Sequence, residues 1–246
     1  MNSMLQTIWS TILVNPLYNI LAYIVGIIPG GDLGVAIILL TIIVKIILLP
    51  LSKKSIVSQI KLKQLEPKIE SIKSNYPDKT IQAQKTFELY KVEGVNPFSG
   101  CLLALIQLPL ILALFSLFRN GITFNQEVLY SFIKCPTELN SMFLGFLDIN
   151  GKSIVLALLV GITQYIQISL TMSATKKDSN VVTVPKSDFQ SDLNKAMQTQ
   201  MKYVLPVMMV FFSYVGTSIV GLYFITTNLL TLLQEWFIRR KFVSKI

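Results

Sequence analysis

Apolar residues in this chain gather into long, nearly uninterrupted runs, separated by polar stretches rich in lysine. The run from Gly34 to Leu51 holds one charge, Lys45. At about 1.5 Å per residue it reaches roughly 27 Å, enough to cross the hydrocarbon core of a bilayer. The runs Cys101 to Phe118 and Ser153 to Met172 are of similar length and hold no charged side chain, so each predicts one transmembrane helix. From Tyr203 to Ile238 the chain stays largely apolar. A single helix of that length would be roughly 54 Å long, nearly twice the membrane thickness, so the pattern predicts a hairpin of two spans, 203–215 and 219–238. The break falls at Val215-Gly216-Thr217-Ser218. The first of these spans is short, which implies a locally thinned bilayer unless Lys202 snorkels.

The ends and connections follow other patterns. Residues 1–33 are apolar but interrupted by Asn15, Pro16 and Asn19. Within them, Leu17, Ile20, Leu21, Ile24 and Ile27 or Ile28 recur at helical spacing after Pro16, a residue suited to a first helical turn. This predicts an amphipathic helix lying on the outer membrane surface, with an extra span as the alternative. The connection 52–99 is too long for a plain loop. Ile56, Ile60, Leu65, Ile69 and Ile72 step at helical spacing, and Ala83, Phe87 and Tyr90 repeat the pattern after the breaker Ser74-Asn75-Tyr76-Pro77-Asp78. Two helices folded as a hairpin are expected, with Asp78 as an N-cap, Gly94 as a stop and Pro67 kinking or restarting the first arm. The predicted fold is therefore all-α: a polytopic bundle of five transmembrane helices with a cytoplasmic helical hairpin and an N-terminal interfacial helix. Residues 1–33 form the extracytoplasmic segment and 34–246 one membrane domain.

Charge sets the orientation. The chain is 52% hydrophobic and 14% charged, with a net charge of +9. The segments 52–100 and 173–202 and the tail 239–246 together carry 18 of the 22 basic residues, whereas residues 1–33 carry none. Because cytoplasmic loops are enriched in lysine and arginine, the N-terminus is expected outside and the C-terminus inside. The lysines of the hairpin suit anionic lipid headgroups or ribosomal RNA, or serve topology alone. Lys53, Lys54, Lys61, Lys63, Arg239, Arg240 and Lys241 are the candidate partner-binding residues. The basic charge sits in loops between spans, which argues against a DNA-binding face.

The absence of histidine excludes histidine-based general bases and the usual hydrolase triads. No catalytic residue, metal ligand or cofactor is expected. Cys101 and Cys135 fall on opposite sides of the second apolar run, too far apart for a disulfide. Cys101, opening an apolar helix, reads as packing. The absence of an arginine-rich, serine-rich transit peptide favours a bacterial plasma membrane.

Polar residues inside the spans are the candidate functional groups. Lys45 lies about 9 Å from the cytoplasmic end of its run, so it either snorkels to the headgroups or faces a wet cavity between helices. Thr41 sits one turn away. Gln107, Thr163, Gln164, Gln167, Ser213, Thr226, Thr227, Asn228 and Gln234 punctuate the other spans. They either line a polar groove or pair between helices as packing contacts. A small solute transporter or channel subunit is the alternative reading, weakened by the lack of spanning carboxylates other than Glu235 and of broken helices in repeated halves.

These residues carry a resemblance to the YidC/Oxa/Alb membrane-protein insertase family. Thr41-Ile42-Ile43-Val44-Lys45 followed by Leu49-Pro50-Leu51 is similar to the family's first core span, and Leu65-Glu66-Pro67-Lys68-Ile69 to the first arm of its hairpin. Leu89-Tyr90-Lys91, Asn96-Pro97-Phe98-Ser99-Gly100-Cys101, Gln107-Leu108-Pro109, Gly221-Leu222-Tyr223-Phe224 and Asn228 follow in the family's order. The resemblance covers about Pro16 to Lys241. It implies an insertase that passes nascent membrane proteins through a hydrophilic groove open to cytoplasm and lipid, with no small-molecule substrate; the ribosome and the Sec translocon are candidate partners that the sequence leaves open. Lys45 takes the groove's basic position, usually arginine in relatives, and Phe224 falls where relatives often carry a tyrosine that contacts substrate. Thr41, Gln107, Thr163, Gln167, Tyr223 and Asn228 complete the groove the resemblance implies. The large extracytoplasmic domain of some relatives is not expected here.

Overall fold

The computed structural model describes residues 2–96, 98–118, 122–136, 138–173 and 199–243. The described residues are organised as two compact units, one of residues 1–46 and 109–232, the other of residues 47–108 and 233–246. Residues 174–198 of the predicted cytoplasmic loop 173–202 and the last three residues of the tail lie outside the described residues.

In the first unit the chain opens with helix α1 (Asn2–Trp9), a wide π-turn (Ser10–Val14) and α2 (Asn15–Ile27), running on without a break. The helix therefore begins well before the expected start at Pro16. The wide turn is the physical reason. A proline removes one backbone donor and crowds the carbonyl four residues back. Here the Asn15 N–H reaches Ser10 O instead, a looser register into which Pro16 fits. The same device recurs ahead of Pro206, where a π-turn at Gln200–Val204 ends with the Leu205 N–H on Gln200 O. Helical structure thus reaches further toward the N-terminus than the run starting at Tyr203.

Helix α3 (Leu33–Ile47) is shorter than the run that encodes it. It breaks at Leu48, and α4 (Leu49–Gln64) starts anew with Pro50 in its first turn, where a missing N–H costs nothing. The helix break thus falls at Leu48, three residues before the end of the apolar run at Leu51. A sliding hydropathy pattern passes over a proline that is apolar and still restarts the helix. Helix α7 (Ser99–Phe118) carries Pro109 inside it, and α8 (Ile154–Ser173) follows a long irregular connection with a two-stranded hairpin, β1 (Met142–Phe143) and β2 (Leu147–Asp148). Helix α9 (Leu205–Val215) stops at Gly216, and α10 (Ser218–Val243) begins two residues later.

The core of the first unit gathers Leu21 and Val25 of α2, Ile37 and Leu40 of α3, Leu114 and Phe118 of α7, Val160 of α8, and Ile219, Tyr223 and Phe224 of α10. Around it lies an apolar exterior, with Ile46, Leu112, Ile162, Val207 and Phe211 exposed. So much outward apolar surface suits hydrocarbon rather than water. Among the described residues, Gln6–Ile27 and Ile154–Thr171 are each long and apolar enough to cross a membrane unaided.

In the second unit, α4 buries Ser52, Ser55, Ile56 and Ile60 on one face and exposes Lys53, Lys54 and Lys61 on the other. Helix α5 (Glu66–Asn75) restarts at Pro67, and α6 (Lys79–Val92) is capped by Asp78, whose carboxylate accepts the Thr80 N–H at 2.7 Å. Gly94, at φ +61°, ends it. Lys68 on α5 pairs with Glu93 at 2.6 Å.

Candidate functional site

Lys45 does not snorkel. Its side chain is buried, and its ammonium donates to the Thr231 hydroxyl on α10 at 2.8 Å. Thr231 in turn donates to Thr227 O at 2.7 Å, so one hydroxyl links the charge to the α10 backbone. No carboxylate pairs with Lys45 among the described residues. An ammonium has three donors, and one of them is satisfied by Thr231.

Around this contact the first unit brings further polar groups together. Asn228, buried one turn before Thr231, donates from Nδ2 to the Thr163 hydroxyl of α8 at 3.1 Å. Thr163 itself donates back into α8, to Leu159 O at 2.8 Å and Val160 O at 3.0 Å. The Thr227 hydroxyl, one turn before Thr231, is buried with no hydrogen-bond partner among the described residues; so are those of Ser169, Ser213 and Thr217, of which Ser213 lies beside Gly221, toward the other end of α10. Each such group costs free energy, about 1–3 kcal/mol when fully desolvated. Thr41 is also buried, but its hydroxyl donates to Ile37 O of its own helix at 2.7 Å. Gln164 and Gln167 on α8 are half-buried. Tyr223 and Phe224 belong to the apolar core, their rings in edge contact at 5.4 Å. Gln107 belongs to the second unit, where it is half-buried.

Thr231 was not singled out by sequence reading, although among the described residues it alone accepts a bond from the buried lysine. The signal was present, because a hydroxyl four residues after Thr227 sits directly above it on a helix. Glu235, again four residues on, is buried in the second unit with Arg239 at 3.5 Å.

The other end of the first unit is closed by the connection 122–152. Asn19, almost wholly buried, donates to Val128 O at 3.2 Å and accepts the Tyr130 N–H at 2.7 Å. The Tyr18 hydroxyl donates to Thr123 O and accepts the Asn125 N–H. Asp32 caps α3 through the Val35 N–H and accepts the Leu144 N–H at 2.8 Å. The Leu33 N–H reaches Asn140 O, and the Ser218 N–H and hydroxyl both reach Gly151 O at 2.8 Å. Asn19, which interrupts the apolar pattern of the sequence, is thus the residue that fastens α2 to this cap.

The basic residues marked as partner-binding all lie in the second unit. Lys53, Lys54, Lys61, Arg240 and Lys241 are exposed, whereas Lys63 and Arg239 are half-buried. Burial, with the Arg239 guanidinium nearby, holds the Lys63 ammonium below its ordinary range, and burial raises the Glu66 carboxyl. Arg240 lies over the Trp236 ring at 5.4 Å. Among the described residues no cluster of histidine, cysteine or carboxylate side chains suits a metal ion.

Comparison with known proteins agrees with this architecture. The family model described as 60Kd inner membrane protein matches residues 8–245. A membrane protein insertase YidC of Fusobacterium nucleatum is 34% identical over 212 residues, covering 86% of this chain and 88% of that protein. One from Oceanobacillus iheyensis is 28% identical, covering 97% of this chain and 86% of that protein. A relative from Syntrophobacter fumaroxidans, 32% identical, is matched over 94% of this chain but 38% of its own length. Among solved structures, an active YidC insertase crystal structure with its first transmembrane domain resolved superposes with a TM-score of 0.58 at 26% identity, over 92% of this chain and 45% of that one. The helices, the apolar exterior and these matches agree: the chain is an integral inner-membrane protein of the 60Kd inner membrane protein family, the YidC membrane protein insertases.

Proposed function

We propose that this chain inserts nascent membrane proteins, and that the polar residues around Lys45 form the path their hydrophilic parts follow. The observation that carries this reading is the buried Lys45 ammonium, held among the described residues by the Thr231 hydroxyl alone, with the orphaned hydroxyl of Thr227 one turn away on the same helix. Unsatisfied donors inside an apolar bundle are costly, and they are expected where a passing chain supplies the missing partners. A polar tail entering this region exchanges water for these groups, while its apolar segment moves into lipid, whose favourable partitioning drives the process. Acidic residues of the tail pair transiently with Lys45. No covalent step is involved.

In this reading five segments span the bilayer: the α3 region, α7, α8, α9 with its π-turn, and α10. The N-terminus lies outside and the C-terminus in the cytoplasm. Helix α2 is interfacial, a placement supported by its contacts. Tyr18 and Asn19 in its middle and Gly31 beyond its end all bond the connection 122–152. These bonds tie the helix to the outer cap, and the cap would hold it beside the membrane surface. The α5–α6 hairpin and the residues Arg239, Arg240 and Lys241 then face the cytoplasm, where Lys53, Lys54 and Lys61 meet anionic headgroups or the ribosome, whereas the Lys63 ammonium is buried. The Sec translocon is a further partner.

The test is reconstitution of the pure protein in liposomes, scoring protease-protected insertion of a small single-span substrate with an acidic tail. Insertion above that of empty liposomes is expected. Insertion equal to empty liposomes, with both proteins demonstrably folded, would overturn the reading.

A further inference from the structure

The β1–β2 hairpin shows its apolar residues to the outside. The chain from Leu139 to Leu147 carries no charge, and Leu144 and Phe146, at the tip, are 62% and 72% exposed. The backbone there is strained. Leu144 and Gly145 both have positive φ, 49° and 78°, the turn geometry that favours asparagine or glycine at its first central position. Leucine gains nothing from that geometry in water, and exposed apolar side chains add a further penalty. The conformation is nonetheless held firmly. The Leu144 N–H donates to Asp32 Oδ2, and Phe143 packs its ring against Gly34, where a Cβ would overlap it. The hairpin is thus clamped to the start of α3, with Phe143 turned inward and Leu144 and Phe146 outward. Six residues after β2, α8 begins with Ile154 and Val155, both also exposed.

From this geometry we infer that the β1–β2 tip is a lipid anchor, with Leu144 and Phe146 inserted among the headgroups and upper acyl chains of the outer leaflet. The apolar environment offsets the cost of an exposed leucine at positive φ, and aromatic side chains favour the membrane interface. The anchor fixes the start of α3, and hence the depth of Lys45, relative to the bilayer. This rests on the orientation proposed above.

The experiment uses the full chain in phosphatidylcholine and phosphatidylglycerol vesicles, with Cys101→Ser and Cys135→Ser as background. An environment-sensitive fluorophore is attached through Phe146→Cys, Glu127→Cys or Lys79→Cys. Emission at 146 is expected to be blue-shifted and lost to a nitroxide carried high on the lipid acyl chain, but not to aqueous iodide; the label at 127 should behave in the opposite way. Adding Leu144→Asn, which suits the positive φ, should shift the 146 label toward water. Iodide quenching at 146 equal to that at 127 would overturn the anchor. So would protection from both quenchers, which would mean that a second copy of the chain covers the tip. A membrane-impermeant reductant applied to the labels at 127 and 79 reports the orientation separately, since the two must lie on opposite sides whatever the tip does.

Discussion

The two ends of the first unit are built on opposite principles. At the capped end, Asn19, Asp32, Tyr18 and Ser218 each bind backbone groups of a different segment, so side chains and main chain satisfy one another across several connections. At the end that holds Lys45, one charge leans on one hydroxyl with no carboxylate among the described residues, and the Thr227 hydroxyl one turn away is buried with no partner among them. The neutral hydroxyls of Ser213 and Thr217, toward the capped end, are left so as well, and the contrast lies in the charge. A satisfied network has nothing to gain from a new partner, whereas an unsatisfied one does. The difference teaches where a client can enter: substitutions at the capped end should cost stability, and those at the other end should cost insertion.

The largest effect is expected from Gly31→Val. Gly31 has φ +59°, and a Cβ there would overlap the Glu138 carbonyl oxygen, so a β-branched residue breaks the seam between the loop before α3 and the cap. A loss of about 3 kcal/mol or more is expected, read as a lower Tm in detergent and faster proteolysis within 122–152. Asn19→Leu should cost somewhat less, about 2 kcal/mol, because the Tyr130 N–H and Val128 O lose their partner together. Hydrogen exchange at Tyr130 should rise, while insertion per folded molecule stays at the level of the unaltered protein. If insertion fell as far for Asn19→Leu as for changes at Lys45, the two ends would not differ in kind.

Much of this comparison was legible in the sequence, and what was missed has specific causes. The apolar runs declare the helices of the bundle, and Asp78, Gly94 and Pro67 mark the ends of the hairpin arms through local chemistry that needs no tertiary context. The restart of α4 at Leu49 is hidden, because Pro50 is apolar and leaves the hydropathy unchanged. The start of the first helix is hidden for the reverse reason. Pro16 reads as a first turn, and only the wide turn from Ser10 lets the helix run through it. Asn19 looks like an interruption, since its partners at Val128 and Tyr130 lie more than a hundred residues away. Lys45 was conspicuous as a lone charge in an apolar run, yet its partner was not. Periodicity places a residue on a face but does not say which face of another helix it meets.

At the Lys45 end, Lys45→Met should lower insertion of acidic-tailed substrates about tenfold, the equivalent of about 1.4 kcal/mol, in the liposome assay. The Tm should be unchanged or higher, because an unpaired buried charge is replaced by an apolar side chain of similar length. Lys45→Arg should retain most of the activity, since the charge survives. An equal loss for substrates with neutral and acidic tails would point to damaged packing and blur the contrast between the ends.

The smallest and sharpest prediction concerns Thr231. Thr231→Val keeps the shape of the side chain and removes only the hydroxyl that accepts from Lys45 and donates to Thr227 O. Because a buried charge is left without its one neutral partner, a cost of about 1 kcal/mol is expected in stability. The ammonium, freed to seek another acceptor, should bind acidic tails at least as well as before, so insertion per folded molecule should hold or rise. Thr231→Ser, which restores the acceptor, should return the Tm. A fall in insertion with Thr231→Val comparable to that of Lys45→Met would mean that the lysine works only when Thr231 holds it in place, and the pair would then act as one fixed contact point rather than as a charge waiting for a partner.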